Sequence, residues 1–112
     1  MSNWDDCLST GQSALSNLYG MQAEAMQHGN IAAQKALEDD IDDLTYKLTQ
    51  ARALQIQQDD TQIVILNTKL SAITHTAQSV VNDIENLNKV LANVVAAAKI
   101  LDSLISAAMK FR

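Results

Sequence analysis

The densest set of groups able to do chemistry is the acidic run Glu38-Asp39-Asp40-Ile41-Asp42-Asp43. On a helix Asp39 comes near Asp42 and Asp43, and Asp40 near Asp43, so the carboxylates offer the oxygen ligands that a hard cation such as calcium takes. The spacing is not that of an EF-hand: no glycine stands at the sixth loop position, and Gln50 or Ala51 takes the place of the closing glutamate. With Lys35 and Lys47 nearby, the plainer reading is a solvated acidic face around Ile41 that holds no metal. His28 and His75 are far apart, neither is read as having a cysteine or acid at ligand spacing, and no zinc pattern forms. His28 reads as a helix-end residue and His75 as an exposed residue on the polar side of its helix. Cys7, the single cysteine, excludes an intramolecular disulfide and reads as a small apolar residue on a helix. No nucleophile elbow, phosphate loop, dinucleotide fingerprint or pair of acids on separate elements is present. The expectation is a protein that is not an enzyme, with no catalytic residue, cofactor or bound metal.

The charge balance narrows the partners. A net charge of −5 with eight scattered Lys and Arg argues against nucleic acid, which needs clustered cations. Trp4, Tyr19 and Tyr46 are too few and too scattered to stack bases. The 112 residues suit a single helical domain, 1–112, with 47% apolar residues but only 4% aromatic, so Ala, Leu and Ile must fill the core. The first residues, MSNWDDCLSTGQ, carry acids where a signal peptide needs a basic region, and no apolar run follows. That predicts a cytoplasmic protein or one exported without a cleavable signal peptide.

The elements that carry these groups follow an all-α pattern. Pro is absent, and all three Gly fall before residue 30. A first helix over about 3–28 is capped by Ser2 or Asn3 with Asp5 or Asp6 in its first turn, and buries Trp4, Leu8, Leu15, Leu18 and Ala25, with Cys7, Ala14 and Met21 beside them. Gly11 and Gly20 inside it point to close helix approach. His28-Gly29-Asn30 ends this helix and caps the next. The second helix, about 31–57, keeps Leu37, Ile41, Leu44, Leu48 and Ala51 at alternating three- and four-residue spacing. The apolar rhythm stops there and resumes at Ile63 one residue out of phase, which with the cap signals of Asp59 and Gln62 predicts a reversal near 57–61.

The third helix, about 61–110, carries the longest regular pattern in the chain. Its two apolar series run Ile63, Leu70, Ala77, Ile84, Leu91, Ala98, Ile105 and Leu66, Ile73, Val80, Leu87, Val94, Leu101, Ala108 without a slip, the 3.5-residue repeat of a supercoiled helix. Unbroken, it would be roughly 75 Å long, against roughly 39 and 42 Å for the first two. The expected fold is therefore an extended helical hairpin, a coiled-coil-like bundle of three helices with the first two end to end along a long, continuous third. Burial by other chains is one alternative. Another is a break at Thr74-His75-Thr76, where helix propensity is low, giving a four-helix bundle; the unbroken register ranks it last.

Function follows from what such a rod would leave uncovered. With Val95, Leu104, Met109 and Phe111 beside the seam residues Leu87, Leu91, Val94, Leu101 and Ile105, the C-terminal third is apolar over most of its circumference. This predicts a non-enzymatic interaction or assembly protein, forming a homo-oligomer or docking a helical protein partner through that third. In texture, with no Pro, no leader and much Gln, Asn and Ala, the chain resembles leaderless bacterial helical hairpins and needle-type subunits, a likeness of composition without a motif. It implies a subunit of a bacterial secreted or secretion-related assembly. One alternative is a membrane-active, pore-forming component inserting residues 90–111, a membrane contact that is not constitutive because Lys99 and Asp102 interrupt the segment unless they pair. A second is a small cytoplasmic adaptor, chaperone or immunity protein that meets a basic partner with the acidic face Glu38, Asp39, Asp40, Asp42 and Asp43.

Overall fold

A computed structural model describes residues 3–54 and 61–110. Among them are four α-helices, α1 (Asn3–Gln27), α2 (Ile31–Leu54), α3 (Thr61–Thr74) and α4 (Ile84–Lys110), with a short 3-10 helix (Gln78–Asn82) between α3 and α4. The all-α class agrees with the sequence pattern. The continuous third helix does not: the run 61–110 is broken between residues 75 and 83, and the longest dimension of the molecule is 46 Å, with 21 and 19 Å across it. A rod of the expected length would not fit, so the end-to-end hairpin is replaced by a four-helix bundle. The expected reversal near 57–61 falls mostly outside the described residues, as does the end expected for the second helix at 57.

Each helix has two packing neighbours. α1 lies on α2 and α3, and α4 lies on α2 and α3, so the order round the bundle is α1, α2, α4, α3. Asn17 of α1 reaches Ile73 and Thr76, while Cys7 approaches Ile63, so α1 and α3 run parallel. Asn30 touches Val81 and Lys47 pairs with Asp102, so α2 and α4 are also parallel. α2 and α3, consecutive in the chain, therefore stand on a diagonal.

The apolar spacing of the first two helices predicts the burial seen. Trp4, Cys7, Ala14, Leu15, Leu18, Met21 and Ala25 of α1 are in the core, with Leu8 partly buried, and so are Ala33, Leu37, Ile41, Leu44, Leu48 and Ala51 of α2. Gly11 lies where a Cβ would stand 3.0 Å from a Leu48 methyl, which is the close approach its position implies. Gly29 ends α1 with a left-handed φ of 66°, and Asn30 Nδ2 and Oδ1 then link two elements: the amide donates to the Val81 carbonyl at 3.1 Å, and the oxygen accepts from Ala33 N at 3.1 Å as the cap of α2.

The break after α3 has local and distant causes. Thr74 and Thr76 return their hydroxyls to the carbonyls of Leu70 and Ala72, at 2.9 and 2.7 Å, a habit that loosens helices. Ala77 is extended, with φ −69° and ψ 138°, and Asp83 restarts the helix, accepting from Asn86 N at 3.2 Å and Asn86 Nδ2 at 2.8 Å. Carbonyls freed at the end of α3 are taken up by α1, whose Asn17 amide donates to Ile73 O at 2.7 Å and Thr76 O at 2.9 Å. Ala77 and Ile84, both in the expected seam, are consequently exposed, Ile84 by 72%. Val81, off the seam, is fully buried in their stead.

Candidate functional site

The residues expected to dock a partner are mostly spent on the chain's own core. Leu87, Val94, Leu101, Leu104 and Ile105 are buried and Leu91 is half-buried; only Val95 and Met109, 43% and 62% exposed, face outward, and Phe111 lies outside the described residues. The physical reason is the fold-back. With α2 and α3 both packed on it, α4 needs a wide apolar face, and Val90 and Ala97 join the seam to make one. α4 remains, by length and composition, the one described helix able to cross a membrane, and 39% of its most apolar stretch is buried in the bundle.

The acidic face is on α2. Glu38, Asp39, Asp42 and Asp43 are exposed and Asp40 is half-buried. Burial first, then the charges of Asp39 and Asp43, raises the Asp40 carboxyl above its ordinary 3.8. Asp43 turns to Lys47 at 3.2 Å, and Lys47 also meets Asp102 of α4 at 2.9 Å. Asp102 is thus paired across the helix interface, not with Lys99 as its spacing suggests. The Lys47 ammonium, with 17% of its side chain exposed, is held above 10.5, chiefly by the Asp102 hydrogen bond. Among the described residues no group of three or more His, Cys, Asp or Glu side chains is placed to hold a metal.

The remaining reactive types are dispersed. His28 bonds Glu24 at 3.0 Å, an acid one helical turn before it, so this histidine does have an acidic neighbour, contrary to expectation; His75 is exposed just past α3. Cys7 is buried, and that burial pushes its thiol from 9.0 up to about 12. A thiol so held is neutral at physiological pH and is a poor nucleophile. Trp4 Nε1, Thr45 Oγ1 and Asn67 Oδ1 are buried without a hydrogen-bond partner among the described residues. Thr45 borders an open groove of about 410 Å³ between α1 and α2, lined also by Gln12, Ser16, Tyr19 and Thr49 over Leu15 and Leu48, and free of charge.

Two features of the surface had no clear sequence signal. One is the Lys47 bridge from α2 to α4, invisible until the helices are placed. The other is the outer face of α3, where Val64 is 54% and Ile65 43% exposed beside exposed Thr68 and Ala72. These belong to none of the apolar series, which count only the inward row. No family model matches the chain, and no curated protein or solved structure is significantly similar to it.

Proposed function

We propose that the chain is a non-enzymatic helical assembly protein that associates through the outward faces of its α3–α4 half. The observation that supports this reading is the set of large apolar side chains that α3 and α4 turn outward, Val64, Ile65, Ile84, Val95 and Met109, after both helices have filled the core with their inner faces. A helix apolar on more than its inner face is typical of one with a further neighbour. The test is the mass in solution across a wide concentration range. Mass rising above that of one chain is the expected result; a single chain at high concentration, with no binding of an apolar dye, would remove the proposal.

A second reading is favoured by α4 itself, which is long and apolar enough to cross a bilayer. In that reading α4 leaves the bundle and inserts, with the stretch of residues 75–83, where the α-helix is broken, as the hinge. Asp102 would have to leave Lys47, and Lys99 would enter a medium where each charge costs about 3 kcal/mol on insertion scales. Leakage of dye from anionic-lipid vesicles is its expected sign, and absence of leakage at neutral and acidic pH would dismiss it. The acidic face of α2 suits the third possibility, an adaptor for a basic partner, whose binding would weaken with salt.

A further inference from the structure

We infer that two copies of this chain exchange α4: residues 75–83 straighten, α3 and α4 fuse into one helix, and each α4 takes the seat of the other copy's α4. This goes beyond the assembly reading above, which joins folded copies by their outward faces and needs no exchange. The observation that carries it is an apolar register with no use in the folded bundle. Fourteen positions from Ile63 to Ala108 keep their three- and four-residue spacing straight through the break, and no Gly or Pro stands in 61–110. A segment that only had to turn would have no reason to keep a helical repeat, and turns commonly carry the breakers that this one lacks. Two of the seam positions, Ala77 and Ile84, face solvent in the bundle. Straightened, 61–110 is a helix of roughly 75 Å in which both rejoin the apolar row. The Ile73 and Thr76 carbonyls that Asn17 now binds would there accept from amides four residues on.

A helix of that length carries α4 off the end of its own bundle, whose longest dimension is 46 Å, and would strip Leu87, Val94, Leu101 and Leu104 of their cover. A second copy restores it. The seat on α2 and α3 fits another copy's α4 side chain for side chain, down to the Asp102 partner of Lys47. Direction agrees too: α3 and α4 are antiparallel in the bundle, so when two long helices lie antiparallel, each α4 enters the other bundle the native way round. The contact area is that of α4's own inner face, so the dimer needs no new complementary surface, which is why exchange through a hinge is a low-cost route to dimers. Where the two long helices cross, Ala77 and Ile84 of one come to the matching region of the other. Asp83 and Glu85 of both copies also approach there, so the exchange is favoured by salt.

Because α4 leaves the core only when the bundle opens, the exchange is made by unfolding and refolding. The full chain is unfolded in denaturant, refolded at micromolar or millimolar concentration, brought to the same final dilution, and its mass measured by light scattering. The wild type is expected to give monomer from the dilute refold and a dimer that survives dilution from the concentrated one. Ile84→Pro separates the two forms. Position 84 opens α4 after the extended Asp83 (φ −105°, ψ 99°), a place that suits proline, whereas inside a continuous helix proline removes a hydrogen bond and clashes with the preceding turn. This variant should stay monomeric at both concentrations, with the circular dichroism of the folded bundle. Asn17→Ala frees the end of α3 and should raise the dimer share by at least about threefold. A second measurement needs no proline: in a Cys7→Ala background, a Lys47→Cys chain and an Asp102→Cys chain are refolded together at millimolar concentration, and a short thiol cross-linker should join them, since α2 of one copy then meets α4 of the other. A wild type still monomeric after concentrated refolding, a dimer that Ile84→Pro forms equally, or mixed chains that do not cross-link overturns the inference. The assembly reading falls separately, if native chains that were never unfolded stay single at high concentration.

Discussion

At the scale of single residues, ionisation shows where this surface holds charge under tension. Burial, with Asp39 and Asp43 nearby, makes the Asp40 carboxyl harder to ionise in the folded chain, so it binds its proton more tightly folded than unfolded. Its contribution to stability is therefore fully present below the ordinary 3.8 and is lost as pH rises through the raised folded value. Asp40→Asn should then raise the melting temperature at neutral pH by about 2–4 °C and have almost no effect near about pH 3. Lys47 works in the opposite pH range. Its raised value means that stabilisation is present below 10.5 and is lost as pH climbs through the folded value, since the Asp43 and Asp102 bonds need the ammonium. Both partner acids are about half exposed, so the pairs are worth no more than about 1 kcal/mol. A double-mutant cycle with Lys47→Met and Asp102→Asn, followed by chemical denaturation, should return a coupling of that size that shrinks in high salt. Cys7 gives the third residue-scale expectation: with its thiol held near 12, alkylation at about pH 8 should proceed only at the rate at which the bundle opens.

At the scale of the element, the two interior glycines of α1 separate two kinds of close contact. A methyl at position 11 would press on Leu48, which is buried and tightly held, whereas one at position 20 would meet the amide end of the exposed Gln78 side chain. Helix propensity favours alanine by about 1 kcal/mol at both sites. Gly20→Ala should keep most of that gain because Gln78 can swing aside. Gly11→Ala should lose it and destabilise by about 1–2 kcal/mol, as overpacking does. Thermal unfolding of the two variants decides the point. The same elements show how far the sequence is readable. The core rows of α1 and α2, the left-handed Gly29 and the inner rows of α3 and α4 follow from spacing and cap chemistry. The break between α3 and α4 is different, because an apolar repeat reports where side chains would fall if the backbone continued, not whether it does. Ala77 and Ile84 keep the repeat and are exposed. What favours the break is Asn17, more than 50 positions away, whose amide binds two carbonyls at the end of α3. The local hints, two threonines at 74 and 76 and the Asp83-to-Asn86 cap, were present but weak against fourteen positions in register. The exposure expected of the C-terminal third fails for the same reason. Leu87, Val94, Leu101, Leu104 and Ile105 looked uncovered only along an unbroken rod, and once the rod folds back they become core.

At the scale of the whole molecule, the diagonal placement of α2 and α3 controls how the bundle can come apart. If the chain folded as two side-by-side hairpins, α1–α2 and α3–α4, joined only along one seam, either could open while the other persisted. Here each helix of the first hairpin is packed along a parallel helix of the second, α1 on α3 and α2 on α4. Asn17 and Asn30 hold the residue 73–81 region at one end, while Lys47 and Asp102 tie α2 to α4 toward the other. Losing either hairpin exposes the inner rows of both, so no half has a core that survives alone, and unfolding is expected to be two-state. The single tryptophan makes this measurable, since Trp4 is 4% exposed near the start of α1 and its fluorescence reports one end of the bundle, while circular dichroism reports every helix. The two probes should give the same denaturant midpoint and slope. A helical signal that persists after Trp4 has become exposed would mean that the α1 end opens first, and that the interlocked packing does not make the molecule one cooperative unit.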